Sequence, residues 1–190
     1  GRAPLDLRAN ALKATREDAQ RELASAGLAA RPIASVPDAL RLEAGSDANI
    51  TTLAAYREGR VEIQDEASQR AVLLADARPG DTVVDIAAGA GGKSLALAAA
   101  MKNRGRVLAC DIEPARLRQM EPRIARAGTK IVEIVGDPYG GAIASAVGAG
   151  ADIVFVDAPC SGTGTWRRNP AAKWTLDAAR LDGYRAAQAK

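Results

Sequence analysis

The stretch Asp157-Ala158-Pro159-Cys160-Ser161-Gly162-Thr163-Gly164-Thr165-Trp166-Arg167-Arg168-Asn169-Pro170 gathers a carboxylate, a proline-stiffened backbone, a thiol and two adjacent cations. It follows directly on the apolar run Ile153-Val154-Phe155-Val156, so these groups are presented at the end of a strand. A thiol can add to carbon or pass a proton, a carboxylate can orient or accept one, and arginines pair with phosphates. The combination points to chemistry on an anionic substrate such as a nucleic acid. Trp166 and Trp174 can stack on a base or simply pack, and Arg167 and Arg168 can meet phosphate or close an ion pair.

A second constellation lies upstream, in Asp85-Ile86-Ala87-Ala88-Gly89-Ala90-Gly91-Gly92-Lys93-Ser94. It reads as a strand end, a glycine loop and a helix start, which bring backbone amides close to a bound anion. Three ligand classes compete for it, beside a purely structural glycine turn. A phosphate-binding P-loop needs glycine where Ala87 stands. A dinucleotide fingerprint has Ser94 where Gly or Ala is wanted. The third class is S-adenosylmethionine, whose amino-acid carboxylate can lie on the same loop. Asp111, 22 residues after Gly89, ends the next strand and can accept from both ribose hydroxyls of an adenosine. Asp137 ends a third strand, where it can reach an adenine amino group or cap the backbone before Pro138.

Strands alternating with helices must position these groups. From Pro79-Gly80 onward the pattern is βαβαβαβ, with strands at Val83–Ile86, Val107–Cys110, Ile131–Val135 and Ile153–Val156. Helices are expected at Lys93–Met101, Pro114–Ala127 and residues 141–148, with a last one from near Thr175. This rhythm implies an α/β, doubly wound, Rossmann-like parallel sheet, whose ligands sit beyond the carboxyl ends of the strands. Residues 1–60 read as a small α+β accessory segment and residues 61–190 as the main domain. The first segment shows a strand at Leu5–Ala9 and a capping box at Thr15 opening a helix that Gly27 closes. Extended or turn backbone follows at Arg31-Pro32 and Val36-Pro37, then a loop at Asp47–Tyr56. Val61–Ile63 is a strand, leading to a helix through Ala77.

Composition narrows the chemistry further. With no histidine, His-based metal sites, Ser-His-Asp triads and His general bases are excluded. Cys110 and Cys160, the two cysteines, are too few for a zinc cluster or a disulfide framework, and reduced thiols are expected. Only 3% of residues are aromatic, so the core must be aliphatic. The net charge of +3 concentrates in the second half, and from Asp157 onward six basic residues face three acidic ones. With no apolar run long enough for a membrane span, a monomeric cytoplasmic protein without metal is expected.

The fourth-strand motif, for which neither hydride transfer nor phosphoryl transfer has an evident use, resembles that of the Sun/Fmu family of RNA (cytosine-C5) methyltransferases. The resemblance rests on Asp157–Gly164 with Arg167–Pro170, and is supported by Ala88–Lys93, by Gln64-Asp65-Glu66-Ala67-Ser68 and by Leu5–Lys13, in the family's order. It is nearest to the bacterial branch that modifies small-subunit ribosomal RNA. It implies S-adenosylmethionine bound by Ala87, Ala88, Gly89, Ala90, Gly91, Gly92 and Lys93 with Asp111, Asp137 and Asp157. Asp157 would lie near the transferable methyl and the cytosine amino group, with Lys93 anchoring the cluster. It also implies RNA as partner, met by Arg167 and Arg168, the first segment acting as an RNA-binding accessory. The family often has Pro where Ala90 stands and Cys where Ala87 stands. Its nucleophile is the cysteine of a Thr-Cys motif, with the Pro-Cys thiol, here Cys160, assisting product release. No Thr-Cys occurs here. The resemblance also implies a seven-stranded sheet, of which four strands are assigned. The chain is therefore expected to be part of a longer enzyme, with further helical sequence before Gly1 and the nucleophile beyond Lys190.

Overall fold

The computed structural model describes residues 4–42, 49–139, 141–166 and 169–189. Two compact units form, one of Pro4–Val156 and one that begins at Asp157.

The first unit contains two sheets. Strands β1 (Asp6–Ala9), β2 (Ala30–Pro32), β3 (Ala39–Leu42) and β4 (Val61–Ile63) form an antiparallel sheet in the order β2-β3-β1-β4. Helix α1 (Arg16–Ser25) starts at the expected capping box: Thr15 Oγ1 accepts from the Asp18 amide, and the Asp18 side chain accepts from the Thr15 amide. Its Ala19 and Leu23 cover Leu7, Ala9, Leu40, Leu42 and Val61 on one sheet face. β1 alternates, so Asp6 and Arg8 project from the opposite face, and they are also buried. There the register sets opposite charges across from one another, Asp6 against Arg41 and Arg8 against Glu62.

The parallel sheet has the order β7-β6-β5-β8, from β5 (Thr82–Asp85), β6 (Arg106–Cys110), β7 (Val132–Gly136) and β8 (Ile153–Phe155). All its pairings are parallel. The connecting helices are α4 (Gly92–Ala100), α5 (Pro114–Ala127) and α6 (Gly141–Val147). Short α2 (Ala54–Arg57) precedes β4, and α3 (Glu66–Leu74) follows it. Helix α4 packs on α3 and β6, and its run Leu95–Ala99 is buried throughout. Small side chains allow that close approach, while Leu97 and Leu108, both fully buried, contribute about 1.5–3 kcal/mol each. β8 pairs with β5 and leaves Val154 exposed.

The fold class is the one read from the sequence, and several details differ. β2 and β3 are paired strands; extended or turn backbone was expected at Arg31-Pro32, and no element was assigned at Ala39–Leu42. They are short, and Pro32 is tolerated because β2 lies at the sheet edge. Within the expected loop at Asp47–Tyr56, Asp47 and Ala48 lie outside the described residues. Ile50–Thr52 forms a 3-10 turn and Ala54 opens α2, with Ile50 and Ala55 reaching the core. Helix α3 stops at Leu74, before Asp76 turns to φ +48. The antiparallel sheet also runs past residue 60, because β4 is one of its strands.

In the second unit a 3-10 turn (Thr163–Thr165) precedes α7 (Ala172–Thr175) and α8 (Ala178–Gln188). Asp177 caps α8 by accepting from the Arg180 amide, so the long helix starts just after the expected Thr175. Gln188 Nε2 donates to Pro159 O at 2.7 Å, tying the end of α8 to the Pro-Cys motif.

Gly59, in the turn before β4, has φ +72, and a Cβ there would lie 2.0 Å from Arg126 O of α5. Gly59→Ala is expected to destabilise the chain by about 2–4 kcal/mol through backbone strain plus overpacking, read as a lower urea midpoint. An unchanged midpoint would contradict this close contact.

Candidate functional site

The order β7-β6-β5-β8 reverses direction between β5 and β8, and the crevice beyond their carboxyl ends is where such a sheet accepts a ligand. The loop from Ile86 to Gly91 crosses that edge. It is held from below by three backbone bonds: Ile86 N–H to Phe155 O, Ala88 N–H to Cys110 O, and Gly91 N–H to Ala88 O. Gly91 adopts φ +84, and a Cβ on it would come within 2.4 Å of Met120 Cγ of α5, so only glycine fits. The first helical bond of α4 runs from Leu95 N–H to Gly91 O, and the amides of the preceding turn form the positive end of the helix dipole. Ser94 Oγ donates at 2.7 Å to Asp85 Oδ2, fastening that turn to the end of β5.

Asp111 closes the other side. Its Oδ2 accepts from Gly89 N–H and its Oδ1 from Glu113 N–H, both at 2.8 Å. Each carboxylate oxygen has a second lone pair, so the pre-oriented group can still accept from two hydroxyls. Arg116, on the first turn of α5, is the outer cover, with Nη1 3.9 Å from Asp111 Oδ2. A carboxylate so held can accept from the vicinal hydroxyls of an adenosine, and the start of α4 can take an anion.

Of the residues expected from the sequence, the structure brings together Ala87, Ala88, Gly89, Ala90, Gly91, Gly92 and Asp111, with Lys93 in the first turn of α4. Asp137 is exposed just past β7, where Oδ1 accepts from Tyr139 N–H. Asp157 and Cys160 are exposed and lie in the second unit. Arg167 and Arg168 lie outside the described residues. Trp174 is exposed rather than packed. Among the described residues there is no cluster of His, Cys, Asp and Glu able to hold a metal, and no helix long and apolar enough to cross a membrane.

Three residues bearing on the loop were not found by sequence reasoning. Arg123 Nη1 donates to Ala90 O at 2.7 Å and its Nη2 to Glu62 Oε2 at 3.0 Å. Gln64 Nε2 donates to Gly92 O at 3.1 Å, while Gln64 Oε1 accepts from Arg8 Nε at 2.7 Å. The available signal was the polar Glu62 inside, and Gln64 just after, the strand-like Val61–Ile63.

Residues 71–190 match the family described as 16S rRNA methyltransferase RsmB/F, and residues 1–49 match its RsmF/B-like ferredoxin-like domain. The chain belongs to the RsmB/F methyltransferase family. It is 36% identical over 172 residues to ribosomal RNA small subunit methyltransferase B of Serratia proteamaculans, covering 90% of this chain and 39% of that relative. The crystal structure of PH0851 is similar at 35% identity and a TM-score of 0.86, over 95% of this chain and 40% of that one. A methyltransferase homolog protein from Pyrococcus horikoshii is 28% identical with a TM-score of 0.75, over 87% of this chain and 53% of that one. The chain spans 38–40% of the length of the curated relatives it matches.

The two thiols differ sharply. Cys110 is buried, and burial, reinforced by Asp85 and Asp137, pushes it up to about 11, whereas Cys160 is exposed. A disulfide reagent at pH 8 is expected to modify Cys160 in the native chain and Cys110 only after unfolding. Mass spectrometry showing both labelled at equal rates without denaturant would contradict the burial of Cys110.

Proposed function

We propose that this chain carries the S-adenosylmethionine-binding core of an RNA (cytosine-C5) methyltransferase whose substrate is small-subunit ribosomal RNA. Membership of a 16S rRNA methyltransferase family supports this reading. The single structural observation behind it is Asp111, held by the Gly89 and Glu113 amides beside the amide-rich start of α4. S-Adenosylmethionine, when bound, supplies an activated methyl group. Asp111 would hold its ribose hydroxyls, and the Ala87–Lys93 segment its amino-acid carboxylate. Asp137, past β7, would meet the adenine amino group.

On this reading Asp157 orients the cytosine amino group and Lys93 anchors the polar cluster. Cys160 assists release of the methylated product, and Arg167 and Arg168 meet RNA phosphates. The first segment, residues 1–60, serves as the accessory that meets RNA, and the protein acts as a cytoplasmic monomer. Methylation at carbon 5 requires a thiol to add first at carbon 6 of the base, which must be unstacked or single-stranded. The family resemblance gives that role to the cysteine of a Thr-Cys pair, which these 190 residues do not contain.

Titration calorimetry with S-adenosylhomocysteine tests the cofactor assignment. The chain is expected to bind it, and Asp111→Ala to weaken binding at least roughly tenfold, the scale of losing hydrogen bonds to a charged group. Heat with NAD and none with S-adenosylhomocysteine would assign the loop to a dinucleotide instead.

The exposure of Cys160 favours one second reading, in which this thiol is itself the nucleophile. RNA containing 5-fluorocytosine separates the two. No covalent adduct at Cys160 is expected, and an adduct abolished by Cys160→Ser would establish the second reading.

A further inference from the structure

The antiparallel sheet reaches the glycine loop at two backbone carbonyls on either side of Gly91. Arg123 holds Ala90 O, and Arg123 is itself held by Glu62 of β4. Gln64, the residue after β4, holds Gly92 O and is itself held by Arg8 of β1. Arg8 and Glu62 sit directly opposite each other in the β1–β4 register, so both clamps start from one cross-strand pair. Met120 packs against Gly91 between them. In a trans peptide the N–H points away from the carbonyl. Fixing Ala90 O and Gly92 O therefore also fixes the planes that carry the Gly91 amide, itself bonded to Ala88 O, and the Lys93 amide.

We propose that Glu62, Gln64 and Arg123 are positioning residues for the cofactor loop, through which the small antiparallel sheet sets the direction of the amides at the start of α4. The inference rests on the cofactor reading above for its ligand, though not for its geometry. None of the three residues need touch the ligand. Their effect is to remove alternative orientations of two peptide groups before anything binds, so that little ordering remains to be done on binding.

The same interface supplies a matched control. Asn10 Nδ2 donates to Gly59 O and Ala127 O, joining the small sheet to the far end of α5 without touching the loop. The variants are Arg123→Lys, whose single ammonium replaces a fork that bridges Glu62 and Ala90, and Gln64→Glu, which keeps the acceptor for Arg8 and loses the donor to Gly92 O. Asn10→Ala is the control. Three quantities are measured on the 190-residue chain: thermal midpoint, amide hydrogen exchange across Gly91–Leu95, and calorimetric Kd for S-adenosylhomocysteine.

Both loop variants are expected to speed exchange across Gly91–Leu95 and to raise Kd by roughly tenfold. Gln64→Glu, which buries a carboxylate beside Arg8 and against Gly92 O, is expected to lower the midpoint too, but to raise Kd and loop exchange more than Asn10→Ala does for the same loss of midpoint. Asn10→Ala is expected to lower the midpoint while leaving Kd and loop exchange within about twofold of the parent, because distant sites act independently. If Kd simply follows the loss of midpoint across all three variants, or if loop exchange does not respond to Arg123→Lys and Gln64→Glu, the proposal is overturned. A parent chain that binds no S-adenosylhomocysteine defeats the cofactor reading alone, and the ranking of exchange rates still decides whether these residues position the loop.

Discussion

Glu62 is a carboxylate on a strand with only 1% of its surface exposed, and it is placed where two sheets of different architecture meet. Taking a carboxylate out of water costs several kcal/mol unless cations and hydrogen bonds replace the lost solvent. Arg123 and Arg126, three residues apart on one face of α5, both bond it, and Arg8 faces it across the β1–β4 ladder. Arg8 is in turn buried deeply enough that desolvation lowers its pKa, while Glu62 and Asp38 oppose that shift. A displaced β4 would leave these charges uncompensated in the interior, at a cost of about 3–5 kcal/mol for a single broken pair. That penalty fixes the small sheet against α5 in one register.

Much else follows from the position of α5. At its start, Glu113 N–H orients Asp111; in its middle, Met120 and Arg123 shape the glycine loop. At its end, Lys13 Nζ donates to Arg126 O and Asn10 Nδ2 to Ala127 O, placing a cation and an amide on the carbonyls a helix leaves unsatisfied. Fourteen residues make a rod roughly 20 Å long. One helix thus touches the turn that holds Asp111 at its start, the glycine loop from its middle and the small sheet at its end. The second polar link, Asp6 to Arg41 and Arg41 to Glu66, ties the same sheet face to the start of α3, which packs on α4.

The parallel sheet was legible because its information is local. β5, β6 and β7 are short apolar runs ending in or just before Asp85, Asp111 and Asp137, and Pro114 and Gly128 bracket α5 as N1 proline and left-handed C-cap. Thr15 announced α1 in the same way. β2 and β3 were not legible, because each is three or four residues long and their strand character comes from pairing. Asp111 could be found from its spacing to Gly89. Arg123 could not, since its partner Glu62 is 61 residues away and an arginine on an amphipathic helix ordinarily faces solvent. Asp6, Arg8, Asn10 and Lys13, the polar residues of Leu5–Lys13, have a spacing that a half-exposed strand and its following turn would also show. In the folded chain each makes a contact outside its own element.

An apolar contact between the two sheets would stabilise their association with less exact control of orientation, because burial of apolar surface has no preferred direction. A hydrogen bond does, weakening steeply as its angle departs from linear. Of the side chains that cross this interface, Gln64, Lys13 and Asn10 end on the backbone carbonyls of Gly92, Arg126 and Ala127, while Arg123 and Arg126 end on the Glu62 carboxylate. Bonds to backbone fix the path of the main chain itself, which side-chain packing leaves freer to shift. For a loop that presents amides rather than side chains, main-chain direction determines the geometry it offers to a ligand. The buried charge that makes this interface expensive to form is therefore also what makes it directional, and the two sheets act on the glycine loop as parts of one frame.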